Sequence, residues 1–308
     1  MTWYLVRRLA QMIPVFFGAI FIVYFLMFAT SSDPTAALCG DRGCTPATKA
    51  ALESQYNLDQ PFVIQFLLYI KGLFTLDLGN NFSGRPILSV IAETFPTTVK
   101  LALIAIVFES VVGVALGLIA GLTKGTWIDS SLLVFSLLLI AVPVFVLGFV
   151  AQFAIGIKLG WASPTVGAGA PLADLLLPGI VLGATSLAYV VRLTRNSVAE
   201  TSTADYVRTA TAKGLSPGRV RNVHVLRNSM IPVVTFVGAD LGALMGGAIM
   251  TESIFNINGI GNQLYRSINI GDGAMVVSLV TLIVIVFVVV NLLVDLLYAV
   301  LDPRIRYA

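Results

Sequence analysis

Long apolar runs alternate along this chain with short polar breaks. Six runs reach the roughly 20 mostly apolar residues that a helix needs to cross a bilayer at about 1.5 Å rise per residue. They cover 9–29, 99–122, 130–157, 175–191, 231–250 and 275–301. The fourth is the shortest and carries Pro178; whether it exists decides the side of every later loop. The first follows Arg7 and Arg8, is too long for a signal-peptide core and lacks a small-residue cleavage site, so an uncleaved first span is expected.

The break at 30–98 is too long for a simple connection, which predicts short helices within it. Thr45 and Pro46 read as an N-cap followed by an N1 proline, opening a helix through about Tyr56. The stretch 61–74 is apolar but short and contains Lys71, so it should lie along the membrane interface. Residues 87–95 predict a second interfacial helix, closed by Pro96. The Gly-, Ala- and Pro-rich segment 160–173 should be irregular.

Composition agrees with this pattern. The 308 residues are 57% hydrophobic and 11% charged, against about 25% charged in soluble domains, which points to a polytopic membrane protein. Charge placement then gives the orientation. Arg7, Arg8, Lys124, seven basic residues within 192–227, Arg304 and Arg306 would share one side, leaving seven of the 19 for the longer loops opposite. Basic residues near span ends favour the cytoplasm. The expectation is an all-α protein of six transmembrane helices with both termini cytoplasmic. One membrane domain would occupy 1–308, with 30–98 extracytoplasmic and 192–230 cytoplasmic. Cys39 and Cys44 would then lie on the outer side, where disulfides persist. A bridge is the favoured reading, with two free thiols as the alternative.

Enzyme chemistry finds little support. The chain has no GxxxxGK[ST] phosphate loop, no HExxH pair and no GxSxG elbow. A single histidine, His224, makes an ordinary metal site implausible. Glycines are more telling: Gly113, Gly117 and Gly121 recur every four residues in the second span, and Gly238, Gly242 and Gly246 in the fifth. Small residues at that spacing let helices approach closely in lipid. Glu109 shares the first stripe and should meet a neighbouring helix as a structural hydrogen-bonding group. Asp240 sits about 200° around the helix from Gly238 and Gly242. It should face a water-filled translocation path or another subunit, and a structural role stays open beside that one.

The polar segment 192–227 holds the chain's only histidine and reads Asp205-Tyr-Val-Arg-Thr-Ala-Thr-Ala-Lys-Gly-Leu215 at its centre. Between Ser202 and Ser216 it predicts a short helix, with Thr203 or Asp205 near its start and Gly214 as terminator. Three readings are available: an element held at anionic lipid, a charged tether, or a docking knob for a soluble partner. Thr209, Ala210, Ala212 and Gly214 suit a helix fitting closely into a protein groove.

This segment resembles the cytoplasmic "EAA" loop of ABC importer permeases, keeping Ala210, Gly214 and Leu226. Arg208, Thr209, His224 and Arg227 depart from the general pattern. The peptide-branch version is closer, from Asp205-Tyr206 through Arg208-Thr209-Ala210, Ala212-Lys213-Gly214-Leu215 and Leu226-Arg227-Asn228 to Ile231-Pro232. Tyr4-Leu-Val-Arg-Arg-Leu9, Asn57-Leu-Asp-Gln-Pro61, Leu76-Asp-Leu-Gly79, Glu252-Ser-Ile-Phe255 and Asp302-Pro-Arg-Ile-Arg306 extend the likeness over nearly the whole chain. The chain is similar to the B-type permease subunits of bacterial dipeptide/oligopeptide ABC importers.

That resemblance implies a type I ABC importer permease fold in the bacterial inner membrane, in a subunit that is not itself catalytic. Its implied partners are a second homologous permease, one or two cytoplasmic ATP-binding subunits carrying ATP and Mg, an extracytoplasmic substrate-binding protein and a peptide substrate. No nucleic acid is implied. Asp205, Tyr206, Arg208, Thr209, Ala210, Ala212, Lys213, Gly214 and Leu215 would couple to the ATPases. Importers of nickel chelates, glutathione or haem share the fold. From other classes, an ion-coupled secondary transporter would use Glu109 and Asp240, and an intramembrane enzyme lacks a nucleophile–base pair.

Overall fold

The computed structural model describes residues 2–29, 45–47, 54, 57–167 and 169–301. Cys39, Cys44, most of the helix expected at 45–56, and Asp302–Arg306 lie outside the described residues. Among those described, every regular element is helical, and the one strand-like pairing is an isolated bridge between Asn80 and Pro86. The chain divides into two compact units, Met1–Thr98 with Asn258–Val289, and Val99–Ile257 with Val290–Ala308.

In the first unit, α1 (Thr2–Tyr24) runs on through a π-helical turn, Phe25–Ala29. The short apolar stretch expected at the interface forms a helix, α2 (Phe62–Thr75). Aromatic rings join the two: Tyr24 lies 5.5 Å from Phe66 and 5.4 Å from Tyr69, ring centre to ring centre. A half-buried tyrosine hydroxyl needs a partner, and that of Tyr69 pairs with the Thr281 hydroxyl at 2.7 Å. Asp272 precedes the last long helix (Gly273–Leu301) and accepts the Met275 N–H at 3.1 Å as an N-cap, and the Phe82 N–H at 2.9 Å. Burial pushes the Asp272 carboxyl above the usual carboxylate range, and those two N–H donors pull it part of the way back.

The second unit is built on α3 (Ile87–Leu122, which begins in the first unit) and α6 (Leu172–Thr201). Between them lie α4 (Trp127–Ala141) and α5 (Val144–Ala151), the latter continuing as the π-helical turn Gln152–Lys158. Then come α7 (Asp205–Ala212) and α8 (Arg227–Ile254), the latter led in by Pro217–Arg219 and a π-helical turn, Val220–Leu226. Three sequence expectations change here. Pro96 does not end a separate short helix but lies inside α3, as Pro178 lies inside α6 and Pro232 inside α8. In lipid no water competes for the backbone, so continuing the helix costs less than ending it. The fourth span does not stop at 191, because α6 carries Arg192 and Arg195 on to Thr201. The third is two helices bent by 98° at Val142–Pro143, where proline withholds an N–H and favours extended backbone before it.

Glycines set how α3 and α6 meet. A Cβ on Gly113 would fall 2.7 Å from Val190 Cγ1, one on Gly117 2.5 Å from Thr194 Cβ, and one on Gly121 2.8 Å from Val198 Cβ. Reciprocally, Gly179 admits Ile104 and Gly183 admits Ala105. Residue numbers rise together along both helices, so the two run parallel. Parallel neighbours require the chain to recross the membrane between them, and α4 with α5 is the apolar stretch that does so. The bent pair is therefore one broken crossing and not a re-entrant loop, which with five single helices makes six among the described residues. The other glycine stripe is looser: Gly238 meets Val294, Gly242 is buried, and Gly246 faces open space.

Candidate functional site

The polar segment folds into α7 and its footing. Val207 and Ala210, three residues apart and so on one helical face, are turned inward. They join Val198 of α6 and Val220 and Val225 of the π-helical turn in a buried cluster, with Leu118, Ala204 and Leu215 packed against it. Ala210 was expected among the contact residues; it is instead 5% exposed and belongs to this footing. Asp205, Tyr206, Arg208, Thr209, Ala212, Lys213 and Gly214 are exposed on the outer surface, and Leu215 is half-buried.

Local chemistry holds this short helix. Gly214 takes φ +79°, a left-handed conformation that glycine adopts without strain. The Leu215 N–H reaches back to the Ala210 carbonyl at 3.4 Å, and Leu215 packs beside Ala210, the bond and apolar contact of a glycine-terminated helix. Thr209 and Thr211 hydroxyls bond back to the carbonyls of Asp205 and Val207. Arg208 lies 3.8 Å from Asp205, a pair too exposed to add much stability. The Ser229 hydroxyl donates to the Val225 carbonyl and also meets that of Ser197 on α6 at 3.3 Å.

One joint is invisible in the sequence. Arg195 of α6 donates from Nε to Asp129 Oδ1 at 3.0 Å and from Nη2 to Oδ2 at 2.6 Å. Asp129 Oδ2 also accepts the Gly125 N–H at 3.0 Å, and Asp129 is 3% exposed. This fork geometry ties the first turn of α4 to α6, one helical turn from Val198 in the footing of α7. Of the basic residues in 192–227, Arg195 serves the interior, while Arg208, Lys213, Arg219, Arg221 and Arg227 are exposed. No local pattern distinguishes Arg195 from them.

Two intramembrane acids come together. Glu109 of α3 is fully buried, Asp240 of α8 is half-buried, and their carboxyl groups face one another. No hydrogen bond of ordinary geometry joins them: both Glu109 oxygens and Asp240 Oδ2 are buried without a partner. Asp240 also lines a cavity of about 310 Å³ with Thr185 and Ser186 of α6 and Pro143 at the break between α4 and α5.

A family model described as binding-protein-dependent transport system inner membrane component matches residues 113–307, and its N-terminal companion matches 1–102. The dipeptide transport system permease protein DppB of Alkalihalophilus pseudofirmus is 33% identical over the whole of both chains. The di/tripeptide transport system permease protein DppB of Pseudomonas aeruginosa is 35% identical, over 100% of this chain and 99% of its own. The Escherichia coli K12 dipeptide permease DppB is 34% identical over the same shares. Among solved structures, a chain of the inward-facing MetNI methionine ABC transporter covers 70% of this chain and 97% of its own, with a TM-score of 0.58 at 17% identity. That likeness establishes a shared helical fold. The helical architecture and the family match from end to end converge: this chain belongs to the binding-protein-dependent transport system inner membrane components, multi-pass permeases of the bacterial inner membrane.

Proposed function

We propose that this chain is one of two homologous permease subunits in an ATP-driven importer of di- and oligopeptides. One or two cytoplasmic ATP-binding subunits carry the ATP and Mg, and an extracytoplasmic binding protein delivers the peptide through the 30–98 side. The observation that carries the reading is α7: an exposed small-residue surface from Tyr206 to Gly214 standing on a buried apolar footing. The names of relatives matched from end to end support the peptide substrate. Exposed Arg208, Lys213, Arg219, Arg221 and Arg227 support a cytoplasmic location for this end by the positive-inside rule.

In this reading the ATPases grip the outer face of α7 and move it as they close on ATP. The footing passes that displacement to Leu118 of α3 and Val198 of α6. The Asp129–Arg195 joint carries α4 along with them. A packed block of this kind shifts between discrete arrangements instead of deforming gradually, which suits a pore that opens alternately to each side.

The test is Gly214→Glu. At φ +79° a side chain costs about 1–2 kcal/mol of backbone strain, and a carboxylate beside a helix C-terminus opposes the helix dipole. The variant should insert and assemble with its partner permease yet lose ATP-driven peptide uptake in proteoliposomes. Uptake at the unsubstituted rate would sink the docking role of α7.

A further inference from the structure

The acid pair and its cavity require an account that helix packing does not supply. Burying a polar atom without a partner costs roughly 1–3 kcal/mol, and more for a charged one. Here three carboxyl oxygens, Glu109 Oε1 and Oε2 and Asp240 Oδ2, lack one. Two carboxyl groups that face each other repel when both are ionised, so packing alone gives no reason to keep them together. What the pair lacks is a positive charge.

Their surroundings say where it comes from. Asp240 opens onto the cavity of about 310 Å³, near the lower end of the ~300–1,000 Å³ typical of ligand pockets. The same cavity reaches Ile140, Val142 and Pro143, where the third crossing breaks. The last carbonyls of a helix have no partner within it and carry partial negative charge, and Pro143 has no N–H to offer them. Irregular backbone within a membrane is tolerated where it lines a cavity, and broken helices there mark transport sites. A carboxylate and a helix C-terminus thus converge on one space, beside the Thr185 and Ser186 hydroxyls. The remaining wall, including Leu182 and Leu244, is apolar and carries no further polar contact.

We propose that this cavity is a station on the translocation path that receives the ammonium group of the transported substrate at Asp240, with Glu109 behind it. An ammonium in the cavity brings one positive charge and three donors to Asp240, the one carboxyl group on its wall. The apolar wall accepts side chains of varied shape. One constant charged group beside a variable apolar one describes the amino-terminal residue of a peptide. The inference rests on the importer reading above and deepens it by naming what the path recognises. A basic side chain from another subunit would offer the same chemistry, and the experiment separates the two.

The test introduces Ala243→Cys on the cavity wall of the assembled transporter and follows modification at that position by peptide mass spectrometry. Two thiol reagents are compared, the ammonium-bearing 2-aminoethyl methanethiosulfonate and neutral methyl methanethiosulfonate. With Asp240 present the cationic reagent should react faster, and Asp240→Asn should lower the ratio of the two rates by roughly tenfold, the scale of one charge contact in a partly screened site. Alanylalanine amide, whose charge is its ammonium, should protect the cysteine, while N-acetyl-alanylalanine amide should not. A ratio unmoved by Asp240→Asn, or equal protection by both amides, overturns the proposal. A cysteine unreactive in the assembled transporter but reactive in the isolated permease assigns the carboxylates to a neighbouring subunit and also overturns it. ATP-driven uptake by the unsubstituted transporter is measured on the same preparation. Its absence would count against the importer reading, whereas the reactivity ratio judges the cavity separately.

Discussion

Two acidic sites in the second unit make opposite use of a buried carboxylate. Asp129 has every demand met, by both forks of Arg195 and by the Gly125 N–H. Glu109 and Asp240 face each other with three oxygens unmet. The first arrangement is finished and acts as a joint beneath α7. The second is unfinished by anything in the chain itself, as befits a site completed by something that passes through. In a membrane protein, where an unmet polar group has no water to turn to, this difference separates structural acids from acids that bind.

Breaking the finished site should cost most. Asp129→Ala removes a charge-assisted fork from a guanidinium that is 19% exposed and keeps its bond to Asn196, and should lower stability by about 2–3 kcal/mol, read as a drop in detergent melting temperature. Replacing both partners together, Asp129→Leu with Arg195→Met, should recover most of that loss; a double variant as unstable as the single would mean that Arg195 is not what holds Asp129. Next comes Gly117→Val, whose new side chain meets the Val191 carbonyl oxygen at 2.6 Å, backbone that cannot swing aside. About 1–3 kcal/mol of destabilisation is expected, with less folded protein recovered by size-exclusion chromatography. Gly246→Ala, with nothing within 4 Å, should change stability by no more than about 0.5 kcal/mol, the usual size for unconstrained positions. At the unfinished site the loss should vanish. Glu109→Gln keeps the shape of a side chain whose oxygens have no partner of ordinary geometry, so the melting temperature should hold; a drop comparable to that of Asp129→Ala would erase the distinction between the two sites.

The fold was legible wherever it depends on composition and period. The six apolar runs correspond to crossings, and the short apolar stretch after Pro61 forms α2. Gly214 could be read as a terminator because left-handed backbone is a local demand that glycine meets locally. Proline misled for the opposite reason. Pro96 reads as a stop in water, but the long helix that contains it runs on into an apolar crossing where ending costs more than kinking. Arg192 and Arg195 likewise looked like the end of the fourth crossing, though polarity limits only the apolar part of a helix and not the helix itself.

The inward turn of Ala210 was half legible. Its spacing from Val207 marks one face, but only Val198, Val220 and Val225 make that face the buried one. Asp129 with Arg195, and Glu109 with Asp240, are separated by long stretches of sequence, so no local pattern could pair them.

By itself, then, the chain's order of apolar and polar residues determined that it is a helical membrane protein, where it crosses, and which segment carries the exposed basic surface. Those properties follow from transfer energies and backbone preferences that each residue carries wherever it sits. The tertiary structure decided what depends on which helices are neighbours. It made α3 and α6 parallel through interlocking glycines, which counts the bent pair as one crossing. It also left one pair of acids without the donors that the other acid found, because satisfying a buried charge depends on whatever the fold brings within about 3 Å of it.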